Sequence, residues 1–206
     1  MQEPQQERSR RTLSLLLGAA ETLLNEKGLA ATTVPAIAKR AGLSVGVVYR
    51  RFPNKDALLR AVYERFFHEM REQNRLRLDA AALMTTRLEP LARSVIAGMV
   101  EGYRRKRGIL RALTHYARTH RDKRFRRSAL ETNREAMSGV AALFLSHHDR
   151  IKHPHPERAV EFALLSIAAI LRIVILEEEP LHSVPTPDNL AEELTRMFLG
   201  YLGITE

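Results

Sequence analysis

With 206 residues, the chain is long enough for one small domain plus a larger one with its own core. Its 33 Lys and Arg outweigh 24 Asp and Glu, and the formal net charge of +9 favours a polyanionic partner, nucleic acid before an anionic membrane. The lack of cysteine excludes a disulfide framework or thiolate metal site and suits a reducing compartment.

The start of the chain, Met1-Gln2-Glu3-Pro4-Gln5-Gln6-Glu7, is polar and reads as a disordered tail over residues 1–7, with no apolar stretch of signal-peptide type. Leu13, Leu16, Leu17, Ala20, Leu23 and Leu24 recur at helical spacing and predict a first helix from about Arg8 to Lys27, ended by Gly28. Thr33 can cap a second helix whose first turn holds Pro35, where a missing N–H is harmless. Gly42 suits the left-handed position after that helix, and Ser44 can cap a third one. Phe52-Pro53 closes the third helix, because a residue before proline avoids the helical conformation. Helix, glycine turn and second short helix make a helix-turn-helix unit, whose second member enters the DNA major groove.

Asn54 caps a fourth helix that continues past Phe67, with no Gly/Ser linker to uncouple the rest of the chain from it. Next come a shorter segment over Leu76–Met84 and helices from about Pro90 to Lys106, Gly108 to Thr119 and Asp122 to Ser146. The two prolines of His153-Pro154-His155-Pro156 mark a loop. A strongly apolar helix runs from Glu157 to about Glu178, then a Pro180–Pro187 loop and a last helix from about Asp188 to Leu202. The longest apolar run, Phe162 to Leu176, is broken by Ser166 and Arg172 and falls short of the ~20 residues of a bilayer span. An all-α, soluble, cytoplasmic protein without a membrane segment is the expectation.

Ile37-Ala38, Ala41-Gly42-Leu43-Ser44, Gly46, Val48-Tyr49, Phe52, Asn54-Lys55 and Leu58 form a pattern, with Leu16-Leu17, Ala19-Ala20 and Gly28 at matching offsets upstream. This pattern resembles the DNA-binding domain of the TetR family of bacterial transcriptional regulators. The resemblance covers Arg11 to Leu58; the rest of the chain is similar only in being helical. It implies a three-helix helix-turn-helix domain over 1–53 and a larger helical regulatory and dimerisation domain over 54–206. The implied function is a repressor that binds a palindromic operator as a homodimer and leaves it on binding a small-molecule inducer. The alternative is a dimeric DNA-binding regulator without such an inducer, governed by a protein partner or by autorepression. An enzyme is disfavoured: no nucleophile elbow, phosphate loop, HExxH or paired-carboxylate motif occurs, so no catalytic residue or cofactor is expected.

For DNA, the resemblance points to Val45, Gly46 and Val47 near base edges and to Thr33, Tyr49 and Lys55 on the phosphate backbone. Ser44 caps the reading helix, and Arg50 and Arg51 add charge at its end. Valines can meet thymine methyls but cannot hydrogen-bond guanine or adenine, so weight shifts to the arginines and to DNA shape. Arg8, Arg10 and Arg11 form either a minor-groove arm or a solvated charge run. Phe162, Leu165, Ala169 and Ile173 on one helix, with Leu194, Met197, Phe198 and Tyr201 on the next, are expected at the dimer interface. By family analogy, Met99, Tyr103, Leu110, Leu113, Tyr116, Met137 and Phe144 surround an inducer cavity. Arg172, within an apolar helix, would then need a buried ion-pair partner such as Glu161, a dimer-mate carboxylate or an anionic ligand. His147, His148, Asp149, His153 and His155 crowd one loop, but lack the spacing of a preformed metal site, and no metal is expected. A basic strip runs over Arg104–Arg107 and resumes at Arg118, Arg121, Lys123, Arg124, Arg126 and Arg127; it is a solvated face, or a partner for DNA, an acidic ligand or Glu177-Glu178-Glu179.

Overall fold

The computed structural model describes residues 5–84, 87–119, 123–177 and 189–204. Their regular elements are all helical: α1 (Gln5–Ala31), α2 (Val34–Ala41), α3 (Val45–Arg51), α4 (Lys55–Met84), α5 (Leu88–Arg105), α6 (Arg107–Thr119), α7 (Lys123–Leu145), α8 (Pro156–Leu171) and α9 (Leu190–Tyr201). A 3₁₀ turn at His148–Arg150 precedes α8, and a π-helical turn at Arg172–Leu176 extends it.

Two boundaries differ from the pattern reading. Residues Gln5 to Glu7 belong to α1 rather than to a tail, and α1 reaches Ala31 across a break at Gly28, whose φ of 73° suits glycine. Leu76–Met84 is not a separate segment but the end of a 30-residue α4, which contains neither Gly nor Pro to stop it. The Pro180–Pro187 loop, Arg121, Glu178 and Glu179 lie outside the described residues.

The chain forms two compact units, one of residues 1–69 with 108–128, the other of 70–107 with 129–206. The expected boundary at 53/54 divides the chain by motif; compactness divides it differently, and every crossing at 69/70, 107/108 and 128/129 falls inside a helix.

In the first unit, α1, α2 and α3 pack around Leu16, Leu24, Ile37 and Val48, all essentially without solvent exposure. Arg40 of α2 grips Glu26 of α1 with both guanidinium nitrogens at 2.7 and 2.9 Å, and Arg65 of α4 pairs with Glu21 at 2.9 Å. A cluster of Tyr63, Phe67, Tyr116 and Phe125 joins α4, α6 and the start of α7, with ring centroids 4.8 to 5.9 Å apart. Burial pushes the Tyr63 phenol well above its ordinary pKa, Tyr116 and Asp56 adding to the effect, so the hydroxyl stays neutral.

The start of α6 is set onto the end of α1. A Cβ built on Gly108 would lie 2.3 Å from the Leu24 carbonyl oxygen and 2.4 Å from the Asn25 Cα, so only glycine allows this approach. The Asn25 side-chain oxygen accepts a hydrogen bond from the Ile109 N–H at 3.0 Å, capping α6 from another helix.

In the second unit, α5 packs on α9 and on the π-helical turn, and α8 packs on α9. The core includes Leu91, Ile96, Ile167, Leu171 and Leu194, and Phe144 of α7 meets Phe198 of α9 with centroids 4.7 Å apart. With its π-helical turn, α8 runs for 21 residues and is long and apolar enough to cross a bilayer by length and composition, contrary to the estimate from the broken apolar run. Instead its inner face, Ala159, Val160, Ala163, Leu164 and Ile167, is buried in this unit.

Gly108→Ala is expected to destabilise the protein by about 1–3 kcal/mol through overpacking. Asn25→Ala should cost about 1 kcal/mol through the lost cap. Gly102→Ala, whose added methyl meets open space, should be neutral or stabilising by up to about 1 kcal/mol. Urea denaturation of the three variants checks the order.

Candidate nucleic-acid interface

Local chemistry sets the helix-turn-helix. Thr33 accepts the Ala36 N–H at 3.3 Å and caps α2. Gly42, at φ 67°, ends α2 and returns its own N–H to the Lys39 carbonyl at 3.2 Å, while Leu43 bonds Ala38 at 2.9 Å. Ser44 accepts the Val47 N–H at 3.4 Å and starts α3; Asn54 accepts the Ala57 N–H at 2.8 Å and starts α4.

Of the seven residues of α3, Val48 alone is buried. Its outer face presents Val45, Gly46, Tyr49 and Arg50 to solvent, with Tyr49 53% exposed, and Val47 is half-buried. Gly46 has no internal reason to be glycine. It does not adopt a left-handed conformation, and an added Cβ would meet only the Ser44 hydroxyl, at 3.8 Å. An exposed helical glycine costs about 1 kcal/mol against alanine, and no close packing at this position offsets that cost.

Two of the expected residues have partners inside the protein. The Arg51 guanidinium donates to the Ser9 carbonyl at 2.9 Å and to the Ser9 hydroxyl, fastening the start of α1 beside Arg8, Arg10 and Arg11. The Lys55 ammonium donates to the Leu29 carbonyl at 3.2 Å, covering the end of α1, and so is not merely a solvated lysine. An ammonium has three donors, so two remain. Pattern reading missed both contacts because they join residues 42 and 26 positions apart.

The profile for bacterial regulatory proteins of the tetR family matches residues 16–62, a segment that holds the later part of α1, all of α2 and α3 and the start of α4. Over this segment the chain is similar to the tetR family. Among curated relatives, the HTH-type transcriptional regulator BetI of Stenotrophomonas maltophilia is 42% identical over 66 residues, 32% of this chain and 34% of BetI. The nucleoid occlusion factor SlmA of Haemophilus ducreyi is 29% identical over 112 residues, 54% of this chain and 52% of SlmA. The chain thus spans from a third to about half of these relatives. Solved structures extend the fold likeness along the chain. A TetR transcription regulator from Haloarcula marismortui has a TM-score of 0.67 at 16% identity, covering 95% of this chain and 97% of that one. The fatty acid degradation regulator FadR from Bacillus halodurans has a TM-score of 0.61 at 14% identity, covering 91% and 97%.

The residues expected around an inducer cavity are less gathered. Leu110, Leu113 and Tyr116 belong to the first unit, while Met99, Tyr103, Met137, Phe144 and Arg172 belong to the second. Neither of the two clefts described in the second unit is lined by any of them. Arg172 is exposed, so the buried guanidinium expected from its apolar helix is corrected: the side chain needs no internal partner. Burial raises the Tyr103 phenol above its ordinary pKa, and Arg172 partly opposes this. His153 stacks against Tyr201, with centroids 5.2 Å apart, and lies 6.5 Å from His155.

Arg51→Met is expected to loosen the start of α1 while leaving α2 and α3 folded. Limited trypsin digestion should then cut sooner after Arg8, Arg10 or Arg11 than in the wild type. Unfolding free energy should fall by about 0.5–1.5 kcal/mol, the scale of one hydrogen-bonded contact.

Proposed function

We propose that the protein is a cytoplasmic repressor that binds a palindromic operator as a homodimer and is released by a small-molecule effector. The observation that carries the DNA half is α3: it buries one residue and offers Val45, Gly46, Val47 and Arg50 as a groove-reading face around an unexplained glycine. Tyr49, Thr33 and the remaining donors of Lys55 take the flanking phosphates. Ser44 holds the helix that carries them. Arg51 acts at one remove, by holding the arginine-bearing start of α1, which reaches the adjacent minor groove.

The dimer half rests on an unpartnered apolar face. Phe162, Leu165, Ile173, Met197 and Tyr201 are exposed by 58, 65, 44, 39 and 42%, and Ala169 lies between them in the same stripe. Phe162 and Tyr201, 5.7 Å apart, join the α8 and α9 parts of the stripe. A second copy covers this face as a four-helix bundle. Leu194 and Phe198, expected in the same interface, are instead buried at 3 and 0% exposure and belong to the unit's own core. Arg172 lies on the exposed side of this helix and Glu161 near its other end. In a two-fold antiparallel pairing these two meet reciprocally across the interface.

A second reading, a DNA-bound regulator governed by a protein partner, is favoured by one observation. The residues expected around an inducer cavity line neither cleft in the second unit.

Gly46→Ala is expected to stabilise the protein by up to about 1 kcal/mol and yet to weaken operator binding at least tenfold. Melting and gel-shift titration must show effects of opposite sign; a stabilised variant with unchanged DNA affinity would remove α3 from the groove. Leu165→Glu should sediment as a folded monomer with helical circular dichroism intact and operator affinity lost. A dimeric Leu165→Glu protein would place the interface elsewhere.

A further inference from the structure

Over its first three residues, α3 carries no side chain able to read the hydrogen-bonding pattern of a base pair. Val45 is 38% exposed, Gly46 has no side chain, Val47 is half-buried, and the Ser44 hydroxyl before them accepts the Val47 N–H as the helix cap. We infer that this face recognises 5-methylpyrimidines in the major groove, taking thymine and 5-methylcytosine alike. This rests on the DNA-binding reading above and adds to it the chemical group that is read, together with a DNA modification that alters the reading.

The C5-methyl group is the apolar feature that a base edge shows in the major groove. Thymine carries it and cytosine does not; methylation of cytosine at C5 puts the same group in the same place. The remaining features reverse between the two pairs. T·A shows the thymine O4 acceptor and the adenine N6 donor, whereas C·G shows the cytosine N4 donor and the guanine O6 acceptor. A side chain that donates or accepts hydrogen bonds separates these pairs. An isopropyl group cannot. For Val45 and Val47, T·A and methylated C·G are therefore equivalent, and unmethylated C·G is the poor partner. Methylation of one cytosine turns a weak half-site into a stronger one.

The surroundings allow the close approach that a short valine side chain needs. At Gly46 an added Cβ would meet nothing nearer than the Ser44 Oγ, at 3.8 Å, so the surface beside Val45 is open. Between Glu26 and Asp56 the chain holds six Lys and Arg and no Asp or Glu. Arg40 is answered by Glu26, and Arg51 and Lys55 are bonded to carbonyls of α1. The segment still brings no carboxylate of its own against the phosphates that flank a groove-bound α3. Arg50, further along α3, is exposed and long enough to hydrogen-bond a guanine. The methyl rule thus belongs to the base pairs met by Val45 and Val47, not to the whole half-site.

Selection from random duplex DNA with the purified full chain supplies the sequence for the test. Each thymine in it is replaced in turn by uracil, which loses the methyl and keeps every hydrogen-bonding group. At a half-site thymine met by a valine, affinity should fall about fourfold, the contribution of one buried methyl group. A T·A to C·G change there should weaken binding at least as much, and 5-methylcytosine should restore it to within about twofold of thymine. Comparing thymine, cytosine and 5-methylcytosine in this way separates the two sources of the methyl group. Val45→Ala and Val47→Ala should each reduce the uracil effect to less than about twofold at the thymine they meet, with helical circular dichroism unchanged, since alanine favours the helix. Val45 is exposed, so its variant keeps the test independent of folding. A selected sequence in which no thymine responds to uracil, 5-methylcytosine that binds like cytosine, or indifference of the uracil effect to both variants overturns methyl recognition and leaves DNA binding by α3 standing. A protein that enriches no sequence and binds no duplex overturns the DNA-binding reading instead.

Discussion

The contact on which the first unit depends is the seating of Gly108 on the backbone of Leu24 and Asn25. Side chains normally separate helices by 8–10 Å. Here a single missing Cβ lets the end of one helix meet the start of another backbone to backbone, and Asn25 turns the meeting into a cap. The consequence reaches across α6, because Tyr116, two turns further on, must then face Tyr63 and Phe125. The aromatic cluster that joins α4, α6 and α7 is positioned by a glycine it never touches. Tyr63 accepts an energetic cost in this arrangement: its hydroxyl is buried without a hydrogen-bond partner among the described residues, a penalty of about 1–3 kcal/mol. Four interlocking rings offset it.

The charged contacts of this unit follow the same logic of fixing angles. Arg40 with Glu26 and Arg65 with Glu21 both anchor to α1, one from α2 and one from α4. Arg40 and Glu26 are well exposed, so solvent screens the pair and its net stabilisation is small. Its bidentate geometry still restricts how α2 lies on α1, and α2 in turn sets α3. The orientation of a seven-residue helix that buries one side chain comes from its neighbours, since its own packing is too slight to hold it.

What could be read in the chain was local. Thr33, Gly42, Ser44 and Asn54 announce the helix-turn-helix because caps act over three or four residues. The same holds for the prolines around His155 and for the helices of the regulatory half. What escaped was long-range or depended on facing. Asn25 gives no sign in the sequence that its amide serves a helix 84 residues away. On α9, Leu194 and Phe198 alternate with Met197 and Tyr201 at helical spacing, and composition cannot tell which pair faces inward. Arg172 misled for a related reason. A helix apolar on every side suggests full burial, whereas one of its apolar sides is turned outward and the arginine lies there. Legibility ended where a residue's meaning depended on an element that it does not neighbour in the chain.

The two exposed faces, α3 with its valines and α8–α9 with its aromatics, are linked by energetics. Valine contacts to thymine methyls lack the bidentate hydrogen bonds that discriminate strongly among bases, so on the proposed function a single α3 would read little and hold weakly. Much of its attraction comes from phosphates, which is sensitive to salt and indifferent to sequence. Joining two such readers changes the balance, because the second half-site is met at high effective concentration and its modest discrimination multiplies with that of the first. An apolar stripe of aromatic and aliphatic side chains contributes through area rather than charge, and so persists at ionic strengths that erode the phosphate contacts. On the proposed function, a reader of low intrinsic specificity on a basic chain gains from a salt-resistant dimer. In this reading the exposed Phe162, Leu165 and Tyr201 are as much a part of sequence recognition as Val45 and Val47.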